Sequence, residues 1–181
     1  MSLSIIIPVF NSEDTLEEVI TRIVKVMNSE ELPYEIILID DASTDNSWEK
    51  VINLAKKNQN IIGLQLLKNS GQHSANLCGF RHSKNDIIIT MDDDLQNPPE
   101  EIPKLIKLIV EGNDLVYGQF SSKKHNLFRS IGSKVINKLN KKIFNIKSDV
   151  SLSNFRAIDR RIIDLVCVEN HFKPYIPGLI L

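Results

Sequence analysis

The chain contains 181 residues, of which 42% are hydrophobic, and its formal net charge is −1 at neutral pH. This size and composition allow one domain over residues 1–181 with a sizeable core. No apolar run approaches the roughly 18 residues of a membrane-spanning helix, and the N-terminus lacks the pattern of a signal peptide. Two cysteines, Cys78 and Cys167, are too few for a disulfide framework or a zinc site. We therefore expect a soluble protein made in the cytosol, with reduced thiols.

Strand-like and helix-like segments alternate along the first two thirds of the chain. Strands are predicted over 3–9, 34–40, 61–67, 86–92 and 114–118, and helices over 13–28, 46–58, 73–84 and 99–111. After residue 118 the alternation weakens, and the sequence predicts a helix over 127–144, a short strand near 153–158 and a helix around 160–167. Such alternation is typical of βαβ units, so the predicted class is α/β with a mostly parallel sheet.

Polar residues follow the first two predicted strands. The first strand ends in Pro8-Val9-Phe10-Asn11, and the second, which reads EIILI in its middle, ends at Asp40-Asp41. The segment Asp-Ala-Ser-Thr-Asp over 41–45 is typical of a turn and a helix N-cap. In open α/β sheets, ligands bind outside the carboxyl ends of the strands. These polar strand ends therefore predict a binding site at one edge of the sheet.

The predicted strand over 86–92 ends in three adjacent carboxylates. The apolar run Ile87-Ile88-Ile89-Thr90-Met91 is typical of a central parallel strand, and Asp92, Asp93 and Asp94 follow it directly. Three adjacent carboxylates repel one another, and an all-oxygen set favours Mg²⁺ or Mn²⁺ as the cation that offsets this repulsion. The alternative is a solvated acidic loop, and the tripeptide by itself does not decide between the two.

The charges are distributed unevenly along the chain. Residues 115–148 contain eight Lys or Arg and no Asp or Glu, whereas residues 1–114 carry an acidic excess. Apolar residues recur every four positions within the basic segment 123–147, which predicts an amphipathic helix. Its basic face is either a solvated surface or a contact with a phosphate-bearing acceptor or an anionic membrane surface. Nucleic acid is disfavoured as a partner because aromatic residues are few and are not interleaved with the basic ones.

The chain contains, in order, the segments IPVFN, EIILIDDASTDNS, KNSGQHSA and DIIITMDDDLQNPPEEIP. Together they resemble the family 2 glycosyltransferases, whose GT-A fold has a Rossmann-like, mostly parallel central sheet flanked by helices. The segments GQHSA, DDDLQNPPEEIP and FRAIDRR are most similar to bacterial polyprenyl-phosphate glycosyltransferases, including undecaprenyl-phosphate enzymes, and to dolichol-phosphate mannose synthases. The resemblance implies an inverting, metal-dependent enzyme. Such an enzyme moves a sugar from a nucleotide-sugar, with UDP favoured, to a polyprenyl phosphate.

The same resemblance assigns donor-binding roles to residues at the strand ends. Asp41 would accept a hydrogen bond from the uracil or guanine ring, because an ionised carboxylate only accepts. Asp92 and Asp94 would form the DxD pair that binds Mg²⁺ or Mn²⁺, with Asp94 the more direct ligand. The remaining implied nucleotide-site positions are Pro8, Val9, Asn11, Asn69, Gly71 and, between the paired aspartates, Asp93. Gly71 has a second interpretation as an ordinary turn residue before a helix.

The acceptor side departs from the family pattern at one position. Many relatives have an aspartate immediately before the Phe-Arg pair, and this chain has Asn154, which cannot take a proton. Either the acceptor phosphate attacks without a base, or Asp149 substitutes as the base, or the acceptor is a different one. Arg156 is implied as a catalytic residue that holds the acceptor phosphate. Its alternative is a structural ion pair with Asp159 or Asp149.

Three functions from different classes follow from these observations. The first is transfer to a lipid phosphate, with 1–118 as the nucleotide-sugar half and 119–181 as an acceptor half that we expect to stop short of membrane segments. The full-length protein would then lie at the inner face of the cell membrane. The second is a glycosyltransferase of the same fold that extends a capsule, antigen or cell-wall glycan. The third is a non-catalytic α/β binding module such as a receiver domain, which fits poorly because its acidic pair should follow the first strand. Oligomerisation is left open.

Overall fold

A computed structural model describes residues 1–118, 153–168 and 174–180 of the chain. The strands are β1 (Leu3–Val9), β2 (Tyr34–Asp40), β3 (Ile61–Gln65), β4 (Ile87–Thr90), β5 (Leu115–Tyr117) and β6 (Arg156–Asp159). The helices are α1 (Leu16–Glu30), α2 (Ser47–Lys57), α3 (Gln72–His82), α4 (Ile102–Val110), α5 (Arg160–Val168) and α6 (Ile176–Leu179), and a 3-10 turn, Pro99–Glu101, precedes α4. The predicted helix over 127–144, the basic segment 123–147 and Asp149 lie outside the described residues.

The six strands form one sheet in the order β3-β2-β1-β4-β6-β5. Parallel pairing joins β1 to β2 and β4, and β2 to β3, so the predicted mostly parallel sheet is confirmed. The exception is β6, which pairs antiparallel with both β4 and β5. This pairing places Arg156 beside Thr90, at the same edge of the sheet as the carboxyl end of β4. A residue from a late segment of the chain is thereby delivered to the edge where the first strands end.

Helices cover both faces of the sheet, which explains why the central strands are almost continuously apolar. One face packs against α1, α2 and α4, with Ile5 and Ile36 among the strand residues at its centre. The other face packs against α3, α5 and α6, with Ile6 and Ile37 at its centre. Because side chains alternate along a strand, neighbouring residues belong to different cores. In the part of the chain described, no helix combines the length and hydropathy that crossing a membrane requires.

Two predicted strands end earlier than expected. The strand predicted over 61–67 stops at Gln65, and Leu67 is fully exposed on the following loop. The strand predicted over 86–92 stops at Thr90, so the three aspartates lie in the loop beyond it. Met91 still donates its backbone N–H to Ile6 at 3.2 Å, which marks the last hydrogen bond of this strand to β1. The carboxylates are thereby released from the sheet and can face solvent or a ligand.

Candidate active site

A cavity of about 660 Å³ opens at the carboxyl edge of the sheet. Its walls come from the ends of β1, β2 and β4 and from the loop that leads into α3. The lining residues are Pro8, Val9, Phe10, Asp41, Asn69, Gly71, Gln72, Asp92, Asp93 and Asp94. Of the nucleotide- and metal-site positions predicted from the sequence, all but Asn11 are in this set. The sequence interpretation had assigned no role to Phe10 or Gln72, which also line the cavity.

Asp41 fixes the loop that forms one wall of the cavity. Its carboxylate is buried, with 4% of its surface exposed, and it accepts the backbone N–H of Ser70 at 2.7 Å and that of Gly71 at 2.8 Å. Each carboxylate oxygen accepts one of these bonds and has a second lone pair, so the carboxylate can still accept a hydrogen bond from a ligand. Asp41 therefore has a structural role in addition to the ligand-binding role that the sequence predicts.

Gly71 has a backbone conformation that suits glycine. Its φ is +84° and its ψ is 158°, a region that residues with a Cβ rarely adopt. No atom lies within 4 Å of the place where a Cβ would stand, so backbone strain rather than crowding favours glycine here. Its carbonyl accepts the N–H groups of Ser74 and Ala75 at the start of α3. Gly71 is therefore a turn residue before a helix that also lines the cavity, and its contact with the nucleotide stays a prediction.

Asn11 is not among the residues that line the cavity, and its role at the nucleotide site stays a prediction. Its backbone φ is +52°, and its side-chain oxygen accepts the backbone N–H of Thr44 at 2.8 Å. Its own N–H donates to the Ser43 hydroxyl oxygen at 3.0 Å. These bonds tie the loop after β1 to the loop after β2. The neighbouring Phe10, whose ring is exposed, lines the cavity in its place.

The three aspartates after β4 differ in their surroundings. Asp94 is exposed, and one of its oxygens accepts the backbone N–H of Gln96 at 3.0 Å. Burial raises the pKa of Asp92, the Asp94 charge adds to this, and hydrogen bonds from Asn154 and Gln72 oppose it. Burial also raises the pKa of Asp93, one oxygen of which is buried without a hydrogen-bond partner among the described residues. Burial therefore disfavours the charged forms of Asp92 and Asp93, and a bound cation would offset that cost.

The carboxylates suit a cation that is shared with a ligand. Within the described residues, no three His, Cys, Asp or Glu side chains are grouped so that they could hold a metal ion alone. Mg²⁺ in phosphate-binding proteins commonly takes one or two carboxylates and completes its shell with phosphate oxygens and water. Asp92 and Asp94 fit that mode, because both line the cavity and both offer oxygen ligands.

Asn154 joins α3 to the acidic loop. Its side-chain Nδ2 donates to Asp92 Oδ1 at 2.8 Å, and its Oδ1 accepts from Asn76 Nδ2, also at 2.8 Å. Its backbone carbonyl accepts the hydroxyl of Thr90 at the end of β4. Asp92 Oδ1 also accepts from Gln72 Nε2. The sequence interpretation had treated Asn154 only as a departure from the family pattern and had not singled out Asn76.

Arg156 is buried directly behind this network, with 2% of its surface exposed. Burial lowers the pKa of its guanidinium, while the neighbouring Tyr117 hydroxyl and the Asp92 charge oppose that shift. Asp159, one of its two predicted alternative partners, instead pairs with Arg161 at 2.8 Å. The Nε of Arg156 has no hydrogen-bond partner among the described residues. Arg156 therefore places a buried positive charge beside Asp92.

His73 lies next to Arg156 at the start of α3. Burial lowers its pKa, and the positive charge of Arg156 lowers it further. Its ring packs edge-to-face on Tyr175, with the ring centroids 5.3 Å apart and an interplanar angle of 81°. Its Nδ1 is buried and has no hydrogen-bond partner within the part of the chain described.

Comparison with solved structures relates this geometry to known proteins. The S. aureus TarS 1-349 complex with UDP is 20% identical to the chain, with a TM-score of 0.60, and the match covers 91% of this chain and 48% of that one. Glucosyl-3-phosphoglycerate synthase from Mycobacterium tuberculosis matches in a UDP complex at 22% identity and a TM-score of 0.68. The same enzyme in complex with Mn²⁺, UDP-glucose and phosphoglyceric acid matches at 20% identity and a TM-score of 0.69. For both M. tuberculosis complexes, the match covers 91% of this chain and 58% of the synthase chain.

These likenesses confirm the expected GT-A fold. The chain spans about half the length of the solved structures that it matches, and the sequence identities are too low to carry more than the fold. The sequence pattern of the family described as Glycosyl transferase family 2 matches residues 4–166, which is most of the chain. The matched segment includes the acidic loop, the loop at Gly71 and Asn154. The chain therefore belongs to glycosyl transferase family 2.

Proposed function

We propose that this chain is the donor-binding part of an inverting glycosyltransferase that uses a UDP-sugar. One observation carries the proposal. In a chain of glycosyl transferase family 2, the cavity at the carboxyl edge has the loop anchored by Asp41 on one side and three carboxylates on the other. A nucleotide can place its base near the first wall and its diphosphate near the second. Among the described residues, those that line the cavity all fall within 1–118.

The base end of the cavity suits uracil. Asp41 retains lone pairs that can accept the imide N–H of the base, and Asn69, Gly71, Pro8 and Val9 form the adjoining wall. Backbone at Gly71 is open on the side where a Cβ would stand, so a flat ring can approach it closely. The UDP bound in the M. tuberculosis synthase and in S. aureus TarS supports this choice of nucleotide.

The diphosphate end of the cavity suits Mg²⁺ or Mn²⁺ held by Asp92 and Asp94. Such a cation, when bound, neutralises the negative charge that develops on the diphosphate as the glycosidic bond breaks. Asp94 contributes an exposed carboxylate, and Asp92 contributes one that is partly buried and fixed by amide donors. Asp93 adds negative charge at the same place. The Mn²⁺ and UDP-glucose in the M. tuberculosis complex support this arrangement.

We propose a polyprenyl phosphate as the acceptor. A phosphate is already an anion near neutral pH, so it can attack the anomeric carbon without a strong base, which is compatible with Asn154 in place of an aspartate. It needs positive charge nearby, and Arg156 supplies a buried cation beside Asp92. The basic segment 123–147 would contact the anionic membrane surface that carries the lipid. The segments GQHSA and FRAIDRR support this choice of acceptor.

An assay of UDP release tests the acceptor class directly. The chain is incubated with a UDP-sugar and Mn²⁺ alone, with undecaprenyl phosphate in detergent, or with 3-phosphoglycerate. We expect undecaprenyl phosphate to accelerate UDP release only weakly, because the chain is proposed to be the donor-binding part, and we expect the product formed to be a labelled lipid. Acceleration by phosphoglycerate alone would reassign the acceptor, and UDP release that no acceptor accelerates would contradict the proposed lipid transfer.

A further inference from the structure

The amide of Asn154 is held in one orientation by its neighbours. Its oxygen accepts from Asn76 Nδ2 at 2.8 Å, and its nitrogen donates to Asp92 Oδ1 at 2.8 Å. Turning the amide over would set its oxygen against the carboxylate and its NH₂ group against that of Asn76. The contact with the Asp92 carboxylate would then be oxygen against oxygen and repulsive, whereas Asn76, whose own Oδ1 is buried without a partner among the described residues, could turn to meet either end, so Asp92 decides the orientation. The donor end of Asn154 therefore faces Asp92.

The two amides that reach Asp92 both use the same oxygen. Gln72 Nε2 and Asn154 Nδ2 donate to Oδ1, and no described residue donates to Oδ2. An oxygen that already accepts two hydrogen bonds has little capacity left for a further ligand. Asp92, which lines the cavity, therefore has one oxygen engaged by two amides and a second oxygen with no donor among the described residues.

We propose that Asn154, hydrogen-bonded to Asn76, is a positioning residue that engages Asp92 Oδ1 and leaves Oδ2 as the oxygen with which Asp92 would hold a nucleotide-bound cation. This inference rests on the proposed function, because it concerns how the same site holds Mg²⁺ or Mn²⁺. The four side chains involved are Gln72, Asn76, Asp92 and Asn154. Groups behind a ligand that fix its orientation commonly affect metal affinity by about 10- to 100-fold. Asn154 thereby acts as a hydrogen-bond donor and is neither a base nor a cation ligand.

The alternative role for Asn154 is that of a weak substitute for a carboxylate. The two roles predict opposite results for Asn154→Asp, a substitution that hardly changes the side-chain volume. If Asn154 positions Asp92, the new carboxylate replaces a donor with an acceptor and repels Asp92, so affinity for UDP with Mn²⁺ falls. If the residue substitutes for a cation ligand, the new carboxylate strengthens binding.

A double-mutant cycle read by calorimetry of UDP, with and without Mn²⁺, tests the proposal. The variants are Asn154→Ala, Asp92→Ala and the double variant, and Asn85→Ala is the matched control. The Asn85 amide donates to the Leu3 carbonyl at 2.7 Å, at the opposite edge of the sheet. We expect Asn154→Ala to weaken UDP binding about tenfold with Mn²⁺ and to leave it unchanged without Mn²⁺. In the Asp92→Ala background it should have no further effect, and Asn85→Ala should match the parent.

Each other outcome contradicts a definite part of the proposal. A parent protein that binds UDP no better with Mn²⁺ would contradict the proposed metal-dependent donor site, and this role with it. If the parent does show Mn²⁺-dependent binding, the positioning role alone fails in three cases. In the first, Asn154→Ala binds UDP with Mn²⁺ as tightly as the parent does. In the second, Asn154→Ala weakens UDP binding as much in the Asp92→Ala background as in the parent. In the third, Asn154→Asp binds UDP with Mn²⁺ more tightly than the parent does.

Discussion

The carboxylate of Asp41 accepts the backbone N–H of Gly71 at 2.8 Å, so the residue that follows β2 anchors the loop directly before α3. The same carboxylate accepts the N–H of Ser70, and the two bonds hold the loop at the base end of the cavity. Both donors are backbone N–H groups, so replacing the side chain at position 70 would leave both donors in place. A ligand contact to Asp41 and the shape of its loop are therefore coupled.

Replacing Asp41 with alanine should weaken both folding and nucleotide binding. The substitution removes the charged acceptor of two backbone N–H groups, and because Ser70 and Gly71 are exposed, water replaces part of what is lost, so the cost to folding should not exceed about 1–3 kcal/mol. UDP affinity should fall by a similar amount even without metal, because the base loses its acceptor and the loop loses its anchor. Urea unfolding and calorimetry of UDP without Mn²⁺ measure the two effects. Equal UDP affinities for variant and parent would remove the base-binding role.

Gly71→Ala should destabilise the loop through backbone strain. At φ +84° and ψ 158° an alanine costs on the order of 1–3 kcal/mol, although nothing stands in the way of its Cβ. Gly112→Ala is the matched control, because Gly112 also has a positive φ of +101° and an open Cβ position but lies in the turn after α4. Both variants should unfold at lower urea concentration, and only Gly71→Ala should bind UDP more weakly. Equal UDP affinities for the two variants would show that Gly71 has no role in binding the donor.

Asp93→Asn should stabilise the metal-free protein near neutral pH. Burial raises the pKa of Asp93 in the folded state, so folding favours its protonated form. The stability linked to this group is present at acidic pH and is lost as the pH rises through the raised folded pKa. The variant should therefore be more stable than the parent at about pH 7, with a difference that shrinks toward about pH 4, where unfolded aspartate protonates. Urea unfolding at several pH values in EDTA measures it, and a difference independent of pH would contradict the argument.

Local patterns in the sequence were sufficient to predict most of the elements that carry the site. The bounds of β1 and β2 were predicted as observed, because each apolar run ends at a clear change to polar residues. The position of Asp92, Asp93 and Asp94 at the carboxyl edge also followed from the run that precedes them. These features depend on short segments, and periodicity reports short segments well.

The features that the sequence did not predict are contacts between distant segments. Nothing in the spacing of residues 153–159 indicates that β6 runs antiparallel between β4 and β5. The bond from Asn154 to Asp92 spans 62 residues, and the bond from Asn76 to Asn154 spans 78. The departure at Asn154 was visible from the family pattern, but its partners were not. Pairings of this kind require the tertiary fold.

The most direct test of the central claim is calorimetry of UDP binding, with and without Mn²⁺, for the parent and for Asp94→Asn. Asp94 is exposed at the cavity and packs no core, so this substitution should leave the unfolding transition unchanged. The account predicts that Mn²⁺ strengthens UDP binding to the parent, and that Asp94→Asn loses this gain while keeping its metal-independent affinity. An Asp94→Asn variant that gains as much from Mn²⁺ as the parent does would contradict the assignment of the acidic loop as the metal-dependent donor site.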